Sequence, residues 1–295
     1  MFYSDVKHFK SATGYEIDGI WYPRVTSIAS IKAKPFLYKF YADLGSFSMA
    51  ESIKNKSADE GTMLHEAIEA IIAGKPVAIP HSIQPAINAF IDFKKKNEIV
   101  PLKIEERVIS KSHWYAGTVD VVGNLNGRLG VLDIKTSNSI YRDYNIQTAA
   151  YVEALKENNI FPNTRWILRI DQAKVCLQCG AKMREKGGNI KVRGGIKECS
   201  HEWGPVVGEI ELKELDNFET DIKAETIFTE NNNTVAAQAY SSGAPSSSGT
   251  LTLLDVAVTP TKIMYYQEFD PENLRTSRFK RSMKAGAWEI ASTEF

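Results

Sequence analysis

Gly117-Thr-Val-Asp120-Val-Val-Gly-Asn-Leu-Asn-Gly-Arg-Leu-Gly-Val131-Leu-Asp133-Ile-Lys135-Thr-Ser137 decides how the rest of this chain is read. Two short apolar, β-branched runs are joined by Asn and Gly residues that tolerate turn conformations, which predicts a β-hairpin. Alternate side chains of a strand share a face, so Asp133 and Lys135 point one way while Ile134 points into the core. Asp120 lies on the partnering strand and is expected close to Asp133. Two carboxylates meeting at a strand end bind a hard divalent cation through oxygen, with an ammonium beside them. That chemistry suits hydrolysis of a phosphodiester. On an exposed face the same Asp-x-Lys pattern is only a solvated ion pair; the preceding apolar run and the second Asp favour the metal-site reading.

Working outward, Tyr141 to Glu157 reads as a helix with Ala149, Ala150, Val152 and Leu155 as packing positions, and it sets Gln147 and Tyr151 one turn apart on one face. Arg165-Trp-Ile-Leu-Arg-Ile predicts the next strand, and helical crossovers between strands imply a mixed α/β sheet flanked by helices. Upstream, Pro101-Leu-Lys-Ile-Glu105-Glu106-Arg-Val-Ile-Ser predicts the sheet's first strand; alternation leaves open whether Glu105 or Glu106 faces the acids. Residues 82–97 form an amphipathic helix whose terminal lysines complement its dipole. Thr62 is placed to cap a helix with Leu64, Ile68, Ile71 and Ile72 as its apolar stripe, and His65 and Glu69, four apart, share its polar side. Phe36–Leu44 predicts an aromatic-rich helix ending near Gly45. Residues 8–22 read as a small hairpin turned at Gly14 or Gly19, followed by a Pro-marked entry into a helix after Tyr22-Pro-Arg-Val-Thr-Ser-Ile.

Taken together, Asp120, Asp-x-Lys at 133–135, Gln147-x-x-x-Tyr151, Gly61-Thr-x-x-His65-x-x-x-Glu69 and the Tyr22-Pro-Arg-Val-Thr-Ser-Ile opening resemble the RecB-like branch of the PD-(D/E)xK nucleases. The likeness covers roughly residues 22 to 172 and is nearest to phage exonucleases and mitochondrial genome maintenance exonucleases. It implies a restriction-endonuclease-like core and magnesium or manganese held by Asp120, Asp133 and the main-chain carbonyl of Ile134. His65 would be a metal ligand or substrate contact, and Lys135 the catalytic amine. Glu105, with Val108 three residues on and Asp120 fifteen on, matches the family's "ExxV" spacing. Thr136, Gln147 and Tyr151 are implied as substrate contacts, and single-stranded or end-bearing DNA as the substrate, with a replication or recombination protein as a further partner. Two other readings are a structure-selective endonuclease of junction-resolvase type and a DNA-binding module that no longer cuts.

Cys176-Leu-Gln-Cys179-Gly opens a polar stretch that closes with Cys199-Ser-His201. This is zinc-knuckle spacing, and the Lys- and Gly-rich residues between the pairs cannot bury a core, so a structural zinc would give the insert at 174–204 its shape. Some RecB-like relatives hold an iron–sulfur cluster on four cysteines, one of them ahead of the nuclease motifs; against that pattern, a His in the fourth position and the lack of an early cysteine argue against a cluster here. Domain organisation is then a nuclease domain over 1–230, with Val206–Leu212 as a returning strand and a helix at 217–229. A flexible linker follows at 231–250, low in complexity, and a segment at 251–295 carries the basic cluster Arg275, Arg278, Lys280, Arg281 and Lys284.

The 295 residues are 43% hydrophobic and 24% charged, ordinary for a globular protein with a core. No apolar run reaches membrane-spanning length and the first residues lack a signal peptide's apolar stretch, so a cytoplasmic protein of a bacterium or phage-infected cell is expected. Formal net charge is zero, so any nucleic-acid contact must come from basic residues gathered locally.

Overall fold

The computed structural model describes residues 4–30 and 35–215, together with strands at 250–252, 263–270, 275–284 and 287–294. The helix expected at 217–229 and, but for its last residue, the linker expected at 231–250 lie outside the described residues. In chain order the elements are α1 Val6–Thr13, β1 Gly14–Ile17, β2 Ile20–Pro23, α2 Val25–Ala29, α3 Pro35–Leu44, α4 Phe47–Ile72 and α5 Gln84–Lys96. They continue with β3 Ile99–Ser110, β4 Tyr115–Leu125, β5 Arg128–Lys135, α6 Asp143–Glu157, β6 Thr164–Cys176, β7 Lys182–Lys186, β8 Asn189–Arg193 and β9 Trp203–Glu214, then β10 Thr250–Thr252, β11 Ile263–Asp270, β12 Arg275–Lys284 and β13 Ala287–Glu294.

The chain divides into two compact units, Lys34–Val108 with Thr118–Phe218, and Met1–Ala33 with Ile109–Gly117 and Glu219–Phe295. The larger unit is built on a seven-stranded mixed sheet of order β3-β4-β5-β6-β7-β8, with β9 also pairing β6. β4 and β5 form the expected hairpin, Val121 opposite Leu132 and Leu125 opposite Arg128. Its turn is Asn126-Gly127 with φ of 52° and 81°, the two left-handed residues that match the twist of the flanking strands. After β5 the chain crosses through α6 and returns as β6 parallel to β5, Asp133 opposite Ile167.

Leu64, Ile68 and Ile72 of α4 share one core with Ile83, Ile87 and Phe90 and with Leu132, Ile134, Trp166, Leu168 and Ile170 of the sheet. Alternation gives Asp133 to the opposite face of β5, and there Gln147 of α6 reaches it. The buried Arg165 of β6 fastens α6 by donating from Nη1 to the Asn145 carbonyl at 2.7 Å and Thr148 Oγ1 at 3.3 Å. The lysines ending α5 have structural work: Lys94 Nζ donates to the Ile71 carbonyl at the end of α4, and Lys95 pairs with Asp92.

Three local expectations are corrected. Thr62 does not cap a helix; α4 runs unbroken through it from a cap at Ser46, whose Oγ accepts from the Met49 amide at 3.3 Å. Gly61 sits inside that helix because a Cβ there would lie 3.0 Å from Thr136 Oγ1. The stretch between the cysteine pairs is a β-hairpin, β7–β8, whose first strand joins β6, rather than an unstructured loop. In the smaller unit, residues 6–13 are helical because Asp5 caps them, accepting from the His8 amide at 2.7 Å. The β1–β2 hairpin is therefore confined to 14–23 and turns at Asp18-Gly19. The segment at 250–294 contributes a four-stranded antiparallel sheet, β10-β11-β12-β13, and the basic cluster lies along β12. Among the described residues no helix is long and apolar enough to cross a membrane.

Candidate metal centre

Five elements of the larger unit deliver polar side chains to one end of the sheet. β5 brings Asp133, fully buried, and Lys135, whose Nζ lies 2.5 Å from Asp133 Oδ2. Asp133 Oδ1 accepts from Gln147 Nε2 at 3.2 Å, and the same amide donates to Tyr151 Oη at 2.8 Å, so the Gln-x-x-x-Tyr pair of α6 holds the buried carboxylate in place. β4 brings Asp120, nearly buried, whose Oδ2 accepts the Ile134 main-chain N–H at 2.6 Å. Tyr144 of α6 lays its ring 5.1 Å from Lys135 Nζ, a cation–π partner the sequence reading missed.

From α4 come His65 and Glu69, one turn apart. His65 Nδ1 stands 3.9 Å from Asp120 Oδ2 and 3.6 Å from Glu69 Oε1. Ligand atoms of His65, Glu69 and Asp120 all lie within 4.8 Å of one another. Glu69, whose role the sequence left open, therefore belongs to the cluster. Asp133 stands outside that trio, held by Lys135 and Gln147, yet near enough for its charge to act on Asp120. The choice between Glu105 and Glu106 is decided by the backbone. Glu105 has φ of 52°, a left-handed kink inside β3 that breaks the alternation and turns Glu105 toward Glu69 and Asp120; Glu106 pairs with Lys103 instead.

Four carboxyls thus meet one lysine and one imidazole, and the imbalance shows in their protonation. Burial, then the charge of Asp133, pushes Asp120 up to about 6. Burial, then the neighbouring Glu69 carboxyl, pushes Glu105 up to about 7. Burial pulls His65 down, but the Glu69 carboxylate and the charges of Asp120 and Asp133 outweigh it and the imidazole ends above its ordinary value. Burial likewise opposes the Lys135 ammonium, and Asp133 and Asp120 more than offset it. Glu69 Oε1 and Asp133 Oδ2 are buried without a hydrogen bond of good geometry, Asp133 Oδ2 having only the close ammonium. A buried Glu69 oxygen lacking a donor, beside acids that resist ionising together, forms part of a donor set with the charge and hardness a divalent cation requires. His65, Glu69 and Asp120 fit such an ion.

A second cluster lies where β6 ends and β9 begins. Cys176, Cys179, Cys199 and His201 bring three sulfurs and one nitrogen within 4.8 Å of one another. Cys176 Sγ is 3.8 Å from Cys199 Sγ, and Cys179 Sγ is 3.4 Å from His201 Nδ1. The turn is the expected knuckle: Gly180 N–H donates to the Cys176 carbonyl and Cys176 N–H to Ala181. Burial opposes the Cys176 thiolate, but the amides of Cys179 and Gln178 and the His201 ring bring the thiol down to about 6. Three thiols, one of them lowered toward the thiolate form, with an imidazole suit tetrahedral zinc.

The fold and these sites define a mixed α/β protein with a central mixed sheet flanked by helices, a carboxylate-rich candidate cation site around the end of β5 and a separate Cys/His cluster at the far end of β6. No protein-family model matches the chain, and a search of curated proteins finds no match. The site has to be read from its own geometry.

Proposed function

We propose that this protein is a divalent-metal-dependent deoxyribonuclease of the PD-(D/E)xK type, cutting DNA phosphodiesters as an exonuclease on single-stranded or end-bearing substrate. The observation that carries the reading is the Asp133–Lys135 pair at 2.5 Å on one face of β5, opposite the His65–Glu69–Asp120 group. Magnesium or manganese, when bound by His65, Glu69 and Asp120 with Asp133 beside them, would supply Lewis acidity and neutralise phosphate charge. The chain's own part is positional. Gln147 and Tyr151 lock Asp133; the Ile134 amide locks Asp120; Asp133 and the Tyr144 ring hold the Lys135 ammonium, charged and partly desolvated, where negative charge develops on the phosphate. Glu105, beside Glu69, is placed to hold a water or a second ion. DNA specificity and end preference rest on the family resemblance.

The test is cleavage of end-labelled linear single-stranded DNA with magnesium, manganese or EDTA. Wild type should cut only with metal, and Asp120→Asn should lower the rate by at least about 10²-fold, the scale of losing a group that acts in the transition state. A circular single strand left intact supports the exonuclease mode, and its cleavage assigns an endonuclease. A folded wild-type protein that leaves every substrate uncut in manganese would falsify the enzyme reading.

A further inference from the structure

The insert does more than append a knuckle to the sheet. Both roots of the β7–β8 hairpin lie at the Cys/His cluster, Cys176 and Cys179 before β7 and Cys199 and His201 after β8. Its tip is docked on α4. The Gly187 amide donates to both Glu60 carboxylate oxygens at 3.2 Å, and Gly187 has φ of 59° with a would-be Cβ 2.3 Å from the Ile53 carbonyl oxygen, so only glycine allows this approach. Docked at its tip and rooted at the cluster, the hairpin carries Lys186 and Arg184 to the residue that follows Lys135.

There the chemistry is unbalanced. Lys186 Nζ donates to the Thr136 carbonyl at 2.6 Å and Thr136 Oγ1 at 2.7 Å, and Arg184 Nη2 donates to the same carbonyl at 3.0 Å. Arg184 has an acid, Asp171 Oδ2 at 2.5 Å, whereas the hydrogen-bond acceptors of Lys186 are neutral and use two of its three donors. The Glu60 carboxylate acts on it through its charge but takes its hydrogen bonds from the Gly187 amide. Burial, then the like charge of Arg184, outweigh the nearby charges of Asp171 and Glu60 and pull the half-buried Lys186 down to about 8. Two cations converging on one carbonyl, one of them with a donor to spare, await an anion. Their place is the rim of the candidate metal site: the would-be Cβ of Gly61 lies 3.0 Å from Thr136 Oγ1 and 3.9 Å from Lys186 Nζ, and His65 follows Gly61 by one turn of α4, about 6 Å along the helix.

We infer that the β7–β8 hairpin is a phosphate-binding arm of the site, in which Lys186, seated on Thr136 and backed by Arg184, takes the DNA phosphate flanking the one under attack. This rests on the nuclease reading and adds to it a job for the insert. A phosphate contact is counted by salt, since each contact with a single strand adds about 0.7 to the slope of log affinity against log salt. The measurement is binding of a labelled single-stranded oligonucleotide to the full chain with calcium replacing magnesium, across a salt series, beside cleavage by wild type in magnesium. Lys186→Met should flatten the slope by about 0.7 and weaken binding several-fold at low salt. Lys186→Arg should keep the wild-type slope, as should Lys75→Met on the exposed loop after α4. An unchanged slope in Lys186→Met while wild type cuts DNA overturns the arm and leaves the nuclease standing. An equal loss in Lys186→Arg assigns Lys186 to packing and also overturns it. Wild-type protein that neither binds nor cuts overturns both.

Discussion

Asp120→Asn should make the metal-free protein more stable while abolishing the proposed nuclease activity. The buried Asp120 carboxyl is raised from 3.8 to about 6, burial and the Asp133 charge opposing its ionisation. At about 1.4 kcal/mol per tenfold change, an ionised Asp120 costs the metal-free fold on the order of 3 kcal/mol at pH 7.5. Asn keeps an oxygen able to accept the Ile134 N–H and removes the charge, so most of that cost should be recovered. For an acid raised on folding, the stability is fully present below 3.8 and lost as pH climbs through about 6. The advantage of the variant should therefore be largest at pH 7.5, shrink as pH falls through about 6 and vanish near 3.8. For a folding unit of this size each kcal/mol is worth roughly 2–4 °C, so thermal melts in EDTA at pH 7.5 should rise by several degrees. Manganese should then stabilise wild type and leave the variant nearly unmoved, since a cation needs the charge that Asn lacks. An Asp120→Asn protein that is less stable than wild type in EDTA at pH 7.5, or whose gain does not depend on pH, refutes the repulsion argument and with it the physical case for a cation.

Other perturbations follow from the same geometry. Lys135→Met strands the fully buried Asp133 carboxylate and should cost roughly 3–5 kcal/mol by urea denaturation, while Asp133→Asn with Lys135→Met together should cost distinctly less; additive losses would show that the pair is not coupled. Purified protein should carry stoichiometric zinc by elemental analysis. Cys199→Ser should lose it together with hydrogen-exchange protection in β7 and β8, and retained protection would mean that the sheet alone holds the hairpin. Gly187→Ala meets both a left-handed φ and the Ile53 carbonyl, so it should destabilise by at least about 1 kcal/mol and free the tip to exchange; a wild-type melting curve would rule out the docking.

The β4–β5 hairpin was legible because its signals are local. Asn126 and Gly127 set the turn, and strict alternation after it puts Asp133 and Lys135 on one face whatever lies around them. The knuckle was legible for the same reason, since Cys-x-x-Cys-Gly specifies its own turn. The boundary of α4 was misread at Thr62 because a capping residue marks a helix start only if the chain before it is not already helical, and here Ser46 had started the helix earlier. Glu105 and Glu106 were indistinguishable by pattern; a left-handed kink that no pattern announces turned one toward Glu69 and left the other to Lys103. The Gly187-Gly188 pair between alternating runs was a turn signal for β7–β8, but nothing in it said where the tip would land.

By itself, then, the amino-acid sequence determined the elements whose geometry is settled within a few residues: the acid-and-lysine strand, its turn, the Gln147–Tyr151 helix face and the cysteine knuckle. Only the tertiary structure decided which acids would crowd together and which cation would stand over Thr136, because Lys186 and Thr136 are 50 residues apart. Repulsion, burial and convergence of charge belong to contacts across that distance, and periodicity along a chain carries no record of them.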